Sequence, residues 1–408
     1  MNDIQIITPK TKAEMKVFIR FGLHLYAGCP FYVPDFESDL WDQFNPKKNP
    51  ALKTSEVQPF LAIRNGKVAG RIAVFYNTRT NERWHVRQAR FMLFDFIDNE
   101  AVSSALLKAA EDWSRSKGMT ELIGPMGFTD FDKEGILLSD FHIMGSVNTL
   151  YNYPYYPTHL DHLGYEKAAD WIQVRMQVPP HIPDRYTRVS RLVKDRFHLT
   201  IRTVTAHDIR HRGYGEKIFR LFNEAYAPLF GFTEIDAEQA AGFVKLYLPL
   251  IDLRLVPIVE NQQGELIGVA VCMASLSETM RRTNGRLFPF GWWQFLKALK
   301  WKHSQLVDLL LIGVRPDYQN KGVNALFFEH LIPTLNQLGY TMAETGPQLE
   351  DNTKELLQWK HLNPQTLKRR RCYKKCYKLN KVGPLSSDIL FTVSSFCPSV
   401  CVSNCIRN

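Results

Sequence analysis

Two stretches of this chain repeat one plan, and that repetition narrows the fold more than any other feature. SALLKAAEDWSRSKGMTELIGP at 104–125 lines up with NALFFEHLIPTLNQLGYTMAETGP at 324–347. Ala105 falls on Ala325, Gly118 on Gly339 and Gly124-Pro125 on Gly346-Pro347, at offsets of 220, 221 and 222 residues. Each copy reads strand, helix, Gly stop, strand. Upstream of each lies a hairpin pattern. FLAIRNGKVAGRIAVF at 60–75 turns on Asn-Gly, and LVPIVENQQGELIGVAVCM at 255–273 repeats the plan with a longer turn. The expected fold is therefore α/β, with two similar domains, each a mixed, mostly antiparallel sheet flanked by helices. The proline-rich VPPHIPD at 178–184 reads as the linker. This gives domains at 1–178 and 179–382, followed by a Cys/Ser-rich, poorly ordered tail at 383–408.

The second copy holds the most informative local segment, LVDLLLIGVRPDYQNKGVNALFFE at 306–329. Its apolar run LVDLLLIGV reads as a buried strand closed by Pro316. Val323, Leu326, Phe327, Leu331 and Leu335 follow at helical spacing. Between them lies Gln319-Asn320-Lys321-Gly322. A glycine at a helix start lets the backbone approach a ligand, and the free N–H groups there favour an anion such as a pyrophosphate.

The order strand, Val-x-Pro-x-x-Gln-x-x-Gly, helix resembles the acyl-CoA-binding motif of the GNAT N-acyltransferase superfamily, Gln/Arg-x-x-Gly-x-Gly/Ala. Gln319 and Gly322 match, while Asn324 stands at the final small position and Ala325 follows. The resemblance covers most of residues 1–380 and implies a bacterial tandem-GNAT protein. It implies acetyl-CoA or another acyl-CoA as cosubstrate, held by Ile312, Val314, Gln319, Asn320, Lys321, Gly322, Val323, Asn324, Ala325 and Asn352. Val314 takes the place of the family's oxyanion-stabilising amide. In the first copy, Val102 aligns with Gly322 and Asn99 with Gln319. A β-branched residue disfavours positive φ and close approach, and Asp95, Asp98 and Glu100 add negative charge. The N-terminal copy is therefore read as degenerate, with one cofactor site in the C-terminal half.

Acyl transfer to an amine sets the remaining demands. An alkyl amine with a pKa near 10.4 is mostly protonated at neutral pH and needs a base. Asp308 and Glu344, carboxylates on expected strands of the second copy, are the candidates. In the family, an Asn followed seven residues later by Tyr places an acid for the departing thiolate. Here Asn352 is present, but Trp359 occupies the Tyr position, and an indole N–H is no such acid. Tyr373 or His361 would substitute, or the thiolate would leave unassisted. No cysteine sits in a triad-like context, so direct attack in a ternary complex is expected. The function expected is acyl-CoA-dependent N-acyl transfer, most simply acetyl transfer, to a small-molecule or peptide amine. The alternatives are a non-catalytic acyl-CoA-binding or scaffold protein, and an aminoacyl or peptidyl transferase.

The net charge of +10 concentrates in KRRRCYKKCYKLNK at 368–381, eight cations without an acid. Read first as a solvated strand or edge segment, it argues against a basic nucleic-acid-binding domain. Tyr151, Tyr153, Tyr155 and Tyr156 are candidates for a substrate groove or for interface packing. Residues 286–302 are aromatic and basic, and raise peripheral membrane contact, a lid, or a helix packed on the other domain. The first residues are charged and lack a signal-peptide apolar region, so a cytoplasmic location is expected. Cys397, Cys401 and Cys405 lack the usual zinc-site spacing, and no metal is expected.

Overall fold

Strand periodicity recurs six times in each half of the chain, and the computed structural model, which describes residues 4–301 and 304–377, turns it into a single sheet. The first half contributes β1 (Ile4–Ile7), β2 (Ser55–Arg64), β3 (Lys67–Asn77), β4 (Gln88–Phe96), β5 (Glu121–Gly124) and β6 (Glu166–Gln177). The second contributes β7 (Thr200–Thr203), β8 (Pro257–Glu260), β9 (Leu266–Ala274), β10 (Leu306–Val314), β11 (Met342–Thr345) and β12 (Gln365–Cys376). The helices used below are α1 (Lys12–Leu25), α2 (Glu100–Ser116), α3 (Tyr155–His162), α4 (Asp184–Phe197), α5 (Tyr214–Tyr226), α6 (Ala237–Tyr247), α7 (Gly291–Lys300), α8 (Asn324–Gln337) and α9 (Thr353–Gln358).

The strand order is β1-β2-β3-β4-β5-β12-β6-β11-β10-β9-β8-β7, which reads alike from either end. The last strand of each half has crossed over. β12 pairs with β5, setting Tyr373 opposite Gly124, while β6 pairs with β11, setting Arg175 opposite Glu344. β6 and β12 also pair with each other. Two short strands repeat the exchange: Ile136–Leu137 pairs with β12, and Gln348–Leu349 with β6. The two repeats thus share one sheet, mostly antiparallel, and neither half completes its sheet from its own strands.

In each half the parallel pair, β4 with β5 and β10 with β11, holds only at its start. β10 pairs with β11 from Leu306 to Leu309, then runs on to Val314 beside β9 alone. A bulge helps it diverge, since Cys272 faces Leu309 while Val271 faces Leu311. Behind this gap α8 buries Leu326, Phe327, Leu331 and Leu335 of the expected apolar stripe, with Phe328 and Ile332 added to it. Each such side chain contributes about 1.5–3 kcal/mol by burial. In the first half α2 buries Val102, Leu106, Leu107 and Ala110 in the same manner.

The basic stripe differs from its expectation as a solvated or edge segment. β12 is a central strand, and Lys368 and Arg370 are each 1% exposed. Lys368 bonds Glu344 at 2.6 Å, Arg371 bonds Asp170 at 2.8 Å, Arg369 pairs with Asp170 and Glu350, and Lys375 meets Glu111 at 3.0 Å. The neutralising acids come from other elements, so a local charge count misses them. Lys378, Lys381 and the 383–408 tail with its cysteines lie outside the described residues.

Candidate active site

The turn after β10 has the backbone of an anion cradle. Asn320 and Gly322 have φ of 61° and 83°, and α8 begins with no side-chain cap and no acid in its first turn. Among the described residues, no acceptor takes the backbone N–H groups of residues 320 to 324. These donors, at the positive end of a helix dipole, fit a pyrophosphate. The Lys321 ammonium lies 5.0 and 5.2 Å from the rings of Tyr318 and Phe197. Gln319 braces the turn by donating to the Val314 carbonyl at 3.1 Å, and Asn324 donates to Gln358 at 2.8 Å. Gly322 has a second reason to be glycine. A Cβ there would stand 3.0 and 3.2 Å from Val189 and Val193 of α4.

The alternation of the β9–β10 ladder decides which amides face the gap. Arg315 donates to Ile267 on the β9 side, so the N–H groups of Val314 and Ile312 point the other way, into the opening. The Ile312 carbonyl on that side accepts from the Tyr226 hydroxyl of α5 at 3.0 Å. Burial, with the nearby Glu355 carboxylate, holds that hydroxyl well above its usual pKa, so it keeps its proton.

The gap leads into a cavity of about 1120 Å³ walled by both halves. Leu309 to Ile312, Phe327, Phe328, Leu331 and Trp359 come from the second half, with Phe219, Phe222 and Phe243 of α5 and α6. Phe128, Phe131, Asp130 and Glu134 come from the segment after β5 in the first half. Most of the wall is apolar. Burial raises the pKa of Glu134 well above the carboxylate norm and that of Asp130 to about 7, and Oε1 of Glu134 has no partner among the described residues.

Glu355, on α9, lines the same cavity and was not among the sequence candidates. Its oxygens accept from Gln348 at 2.9 Å and Asn352 at 2.8 Å. Burial pushes its carboxyl up to about 7, partly offset by the Gln348 bond. Trp359 donates its indole N–H to Gln348 at 3.1 Å, so that group is already engaged. The Asn352-x-x-Glu355 spacing is also the ordinary pattern of a helix start, which disguises the carboxylate in sequence. Tyr226 gave no local signal.

The other expected residues scatter. Asp308 is 3% exposed beside Glu344 and is not among the residues that line the cavity; burial and that neighbour raise its carboxyl to about 7, and its Oδ2 has no partner among the described residues. Glu344 is enclosed by Arg175 at 2.6 Å, Lys368 at 2.6 Å and Gln173 at 3.2 Å. Tyr373 does not reach the gap. Strand exchange carries it into the core of the first half, 1% exposed with Tyr156 and Tyr165 in the same cluster. His361 stands against Tyr186.

The first half has the same strand and helix without the opening. The Phe96 N–H, which occupies the position of Val314 in the ladder, donates to the Tyr156 hydroxyl at 3.2 Å, and Tyr155 donates to the Phe96 carbonyl at 2.5 Å. Tyr26 bridges Tyr156 and Asp95, and Asp95 pairs with buried Arg71 at 2.6 Å. Asn99 caps α2 through the Val102 N–H at 3.2 Å, with Glu100 in the first turn. Tyr155 and Tyr156 therefore fill the first half's own cleft rather than line a substrate groove.

No family model matches the chain. It is 30% identical over 319 residues to the bacterial ceramide synthase of Caulobacter vibrioides (strain NA1000 / CB15N), across 78% of this chain and 82% of that one. Among solved structures, a tandem GNAT protein from the clavulanic acid biosynthesis pathway aligns with TM-score 0.53 and 12% identity, over 92% of this chain and 98% of that one. The GCN5-related glucosamine N-acetyltransferase region of a fungal multi-domain GH3 beta-N-acetylglucosaminidase aligns with TM-score 0.55 and 10% identity, over 92% of this chain. The chain spans 38% of that protein's length. At such identities these two likenesses speak for the fold alone.

Proposed function

The chain belongs to the GNAT superfamily as a tandem acyltransferase, and on that premise we propose that it moves a long acyl chain from acyl-CoA to the amine of an amphipathic, lipid-like acceptor. The observation that carries this reading is the cavity. At about 1120 Å³ it exceeds the usual range for small-ligand sites of roughly 300–1,000 Å³, and its apolar wall suits hydrocarbon better than an acetyl group alone. The relative named a ceramide synthase supports the same direction.

In this proposal the turn at 319–325 takes the pyrophosphate and the thioester lies along β10 in the gap. The N–H of Val314 or Ile312 stabilises the oxygen that becomes negative as the amine attacks. Glu355, with a pKa matched to neutral pH, removes the amine proton directly or through water, and Gln348 and Asn352 orient it. As the C–S bond breaks, CoA leaves as a thiolate that takes its proton from water, while Tyr226 keeps its own and holds the Ile312 carbonyl; the products are an amide and free CoA. Asp130 and Glu134 of the first half line the same cavity, and burial favours their neutral forms, which suits hydrogen bonding to a polar headgroup. Glu344 serves as an ion-pair hub between the exchanged strands.

The test is a matrix of acetyl-, octanoyl- and palmitoyl-CoA against short and long-chain amines, with thiol release and amide formation both recorded. Amide is expected with long acyl chains and a long-chain amine. Turnover confined to acetyl-CoA would remove the chain-length assignment, and thiol release without any amide would remove N-acyl transfer.

A further inference from the structure

Residues 286–301 contain no acid and put five aromatic side chains into water. Phe288 is 78% exposed, Phe290 77%, Trp301 64%, Trp293 49% and Trp292 48%. The three tryptophans form a continuous surface, since the Trp293 ring lies 5.9 Å from Trp292 and 5.5 Å from Trp301, and Phe288 and Phe290 lie just before them in the chain. Single exposed apolar residues need no explanation, but a contiguous aromatic patch does. Lys297 and Lys300 are exposed on α7, and Arg281, Arg282 and Arg286 lie just before it.

The inner face explains why the patch is held outward. Phe295 is 4% exposed and packs on Phe36 at 5.2 Å, in a cluster with Leu276 and Met280. Arg286 pairs with Glu37 at 3.1 Å, and the Glu37 N–H bonds the Gly285 carbonyl at 3.1 Å. The segment is thus anchored to both halves, and Leu276 and Met280 are also part of the cavity wall. One buried ring secures the helix, while Trp292, Trp293 and Trp301 meet one another and stay exposed.

We propose that this face seats the protein on a bilayer bearing anionic lipids, with α7 lying in the interfacial plane. Aromatic rings settle at the headgroup boundary while basic side chains meet anionic headgroups. No helix among the described residues is long and apolar enough to cross a membrane, so the contact is peripheral. The inference rests on the exposed face and its charge, independently of the acyl-transfer reading.

Co-sedimentation of the full chain with phosphatidylcholine vesicles, with and without phosphatidylglycerol, tests it. Wild type should bind the anionic vesicles, less so at high salt. Phe288→Ser/Phe290→Ser/Trp293→Ser should weaken binding roughly tenfold or more, with an unchanged thermal melt because all three side chains are exposed. Lys297→Glu/Lys300→Glu should abolish the preference for phosphatidylglycerol. Wild type that fails to bind vesicles, or a triple variant that binds as wild type does, overturns the proposal. So does a wild-type dimer that the triple variant converts to monomer with no vesicle binding, which would assign the face to a second copy.

Discussion

At the end of β4 the chain closes a cleft, and at the end of β10 it leaves the same cleft open. The first copy satisfies the Phe96 amide with a tyrosine hydroxyl and the α2 N-terminus with Asn99. The second leaves Val314 facing the gap and gives α8 no side-chain cap. The first copy therefore meets the Phe96 and Val102 donors with its own side chains, while the second leaves the matching donors without a protein side chain among the described residues. The turn from Gln319 to Gly322 is exposed, so water can meet its donors until an anion displaces it, and their gathering at a helix start suits such a ligand.

The largest effect should come from Glu355. Glu355→Gln is expected to lower kcat by roughly 10²–10⁴-fold while leaving the acyl-CoA dissociation constant intact, measured by turnover and calorimetry. A loss of affinity without a loss of kcat would give Glu355 a binding role instead. The same carboxyl sets the pH dependence. With its pKa at about 7, the basic form grows as pH rises through neutrality, so kcat should climb along an acidic limb centred there and the variant should lose that limb. Stability runs the opposite way. Burial favours the neutral form, so the stabilisation is complete below the unfolded carboxyl pKa and fades as pH rises through about 7.

The closed cleft makes the next prediction. Tyr156→Phe strands the Phe96 N–H and should cost about 1–3 kcal/mol in denaturant unfolding, with acyl-CoA affinity unchanged. Lys321→Glu reverses a charge at the cradle and should weaken acyl-CoA binding by roughly tenfold at low salt. Glu100→Lys, at the start of α2, should leave that binding unaltered. If both substitutions act alike, the contrast between the copies fails. The smallest change is Asn99→Ala, expected to cost about 0.5–2 kcal/mol of stability and nothing in turnover.

What was legible in sequence was whatever depended on neighbours in the chain. The repeat, the hairpins, the turn at Gln319 to Gly322 and the apolar stripe of α8 are all local patterns. Partner choice is not. β6 and β12 are equally plausible strands for either half, and only the assembled sheet reveals that they exchange. That single crossing moves Tyr373 into the first half's core and brings Glu344 among cations from β6 and β12. Gly322 was legible for one of its two causes: its left-handed backbone suits a ligand turn, but the valines of α4 that would meet its Cβ lie more than 120 residues earlier in the chain. Glu355 was concealed because Asn-x-x-Glu also describes an ordinary helix start.

The crossing of β6 and β12 changes what it means to cut this molecule. Each half surrenders a strand to its neighbour, so the peptide bonds at 178–184 are not what keeps the halves together. Proteolytic nicking there should leave two fragments that migrate as one particle under native conditions and separate only in denaturant. Expressed alone, either half would carry a displaced strand and an unpaired edge, a template for aggregation. The degenerate copy cannot be discarded, then, even if it never touches cofactor, because the working copy's sheet runs through it.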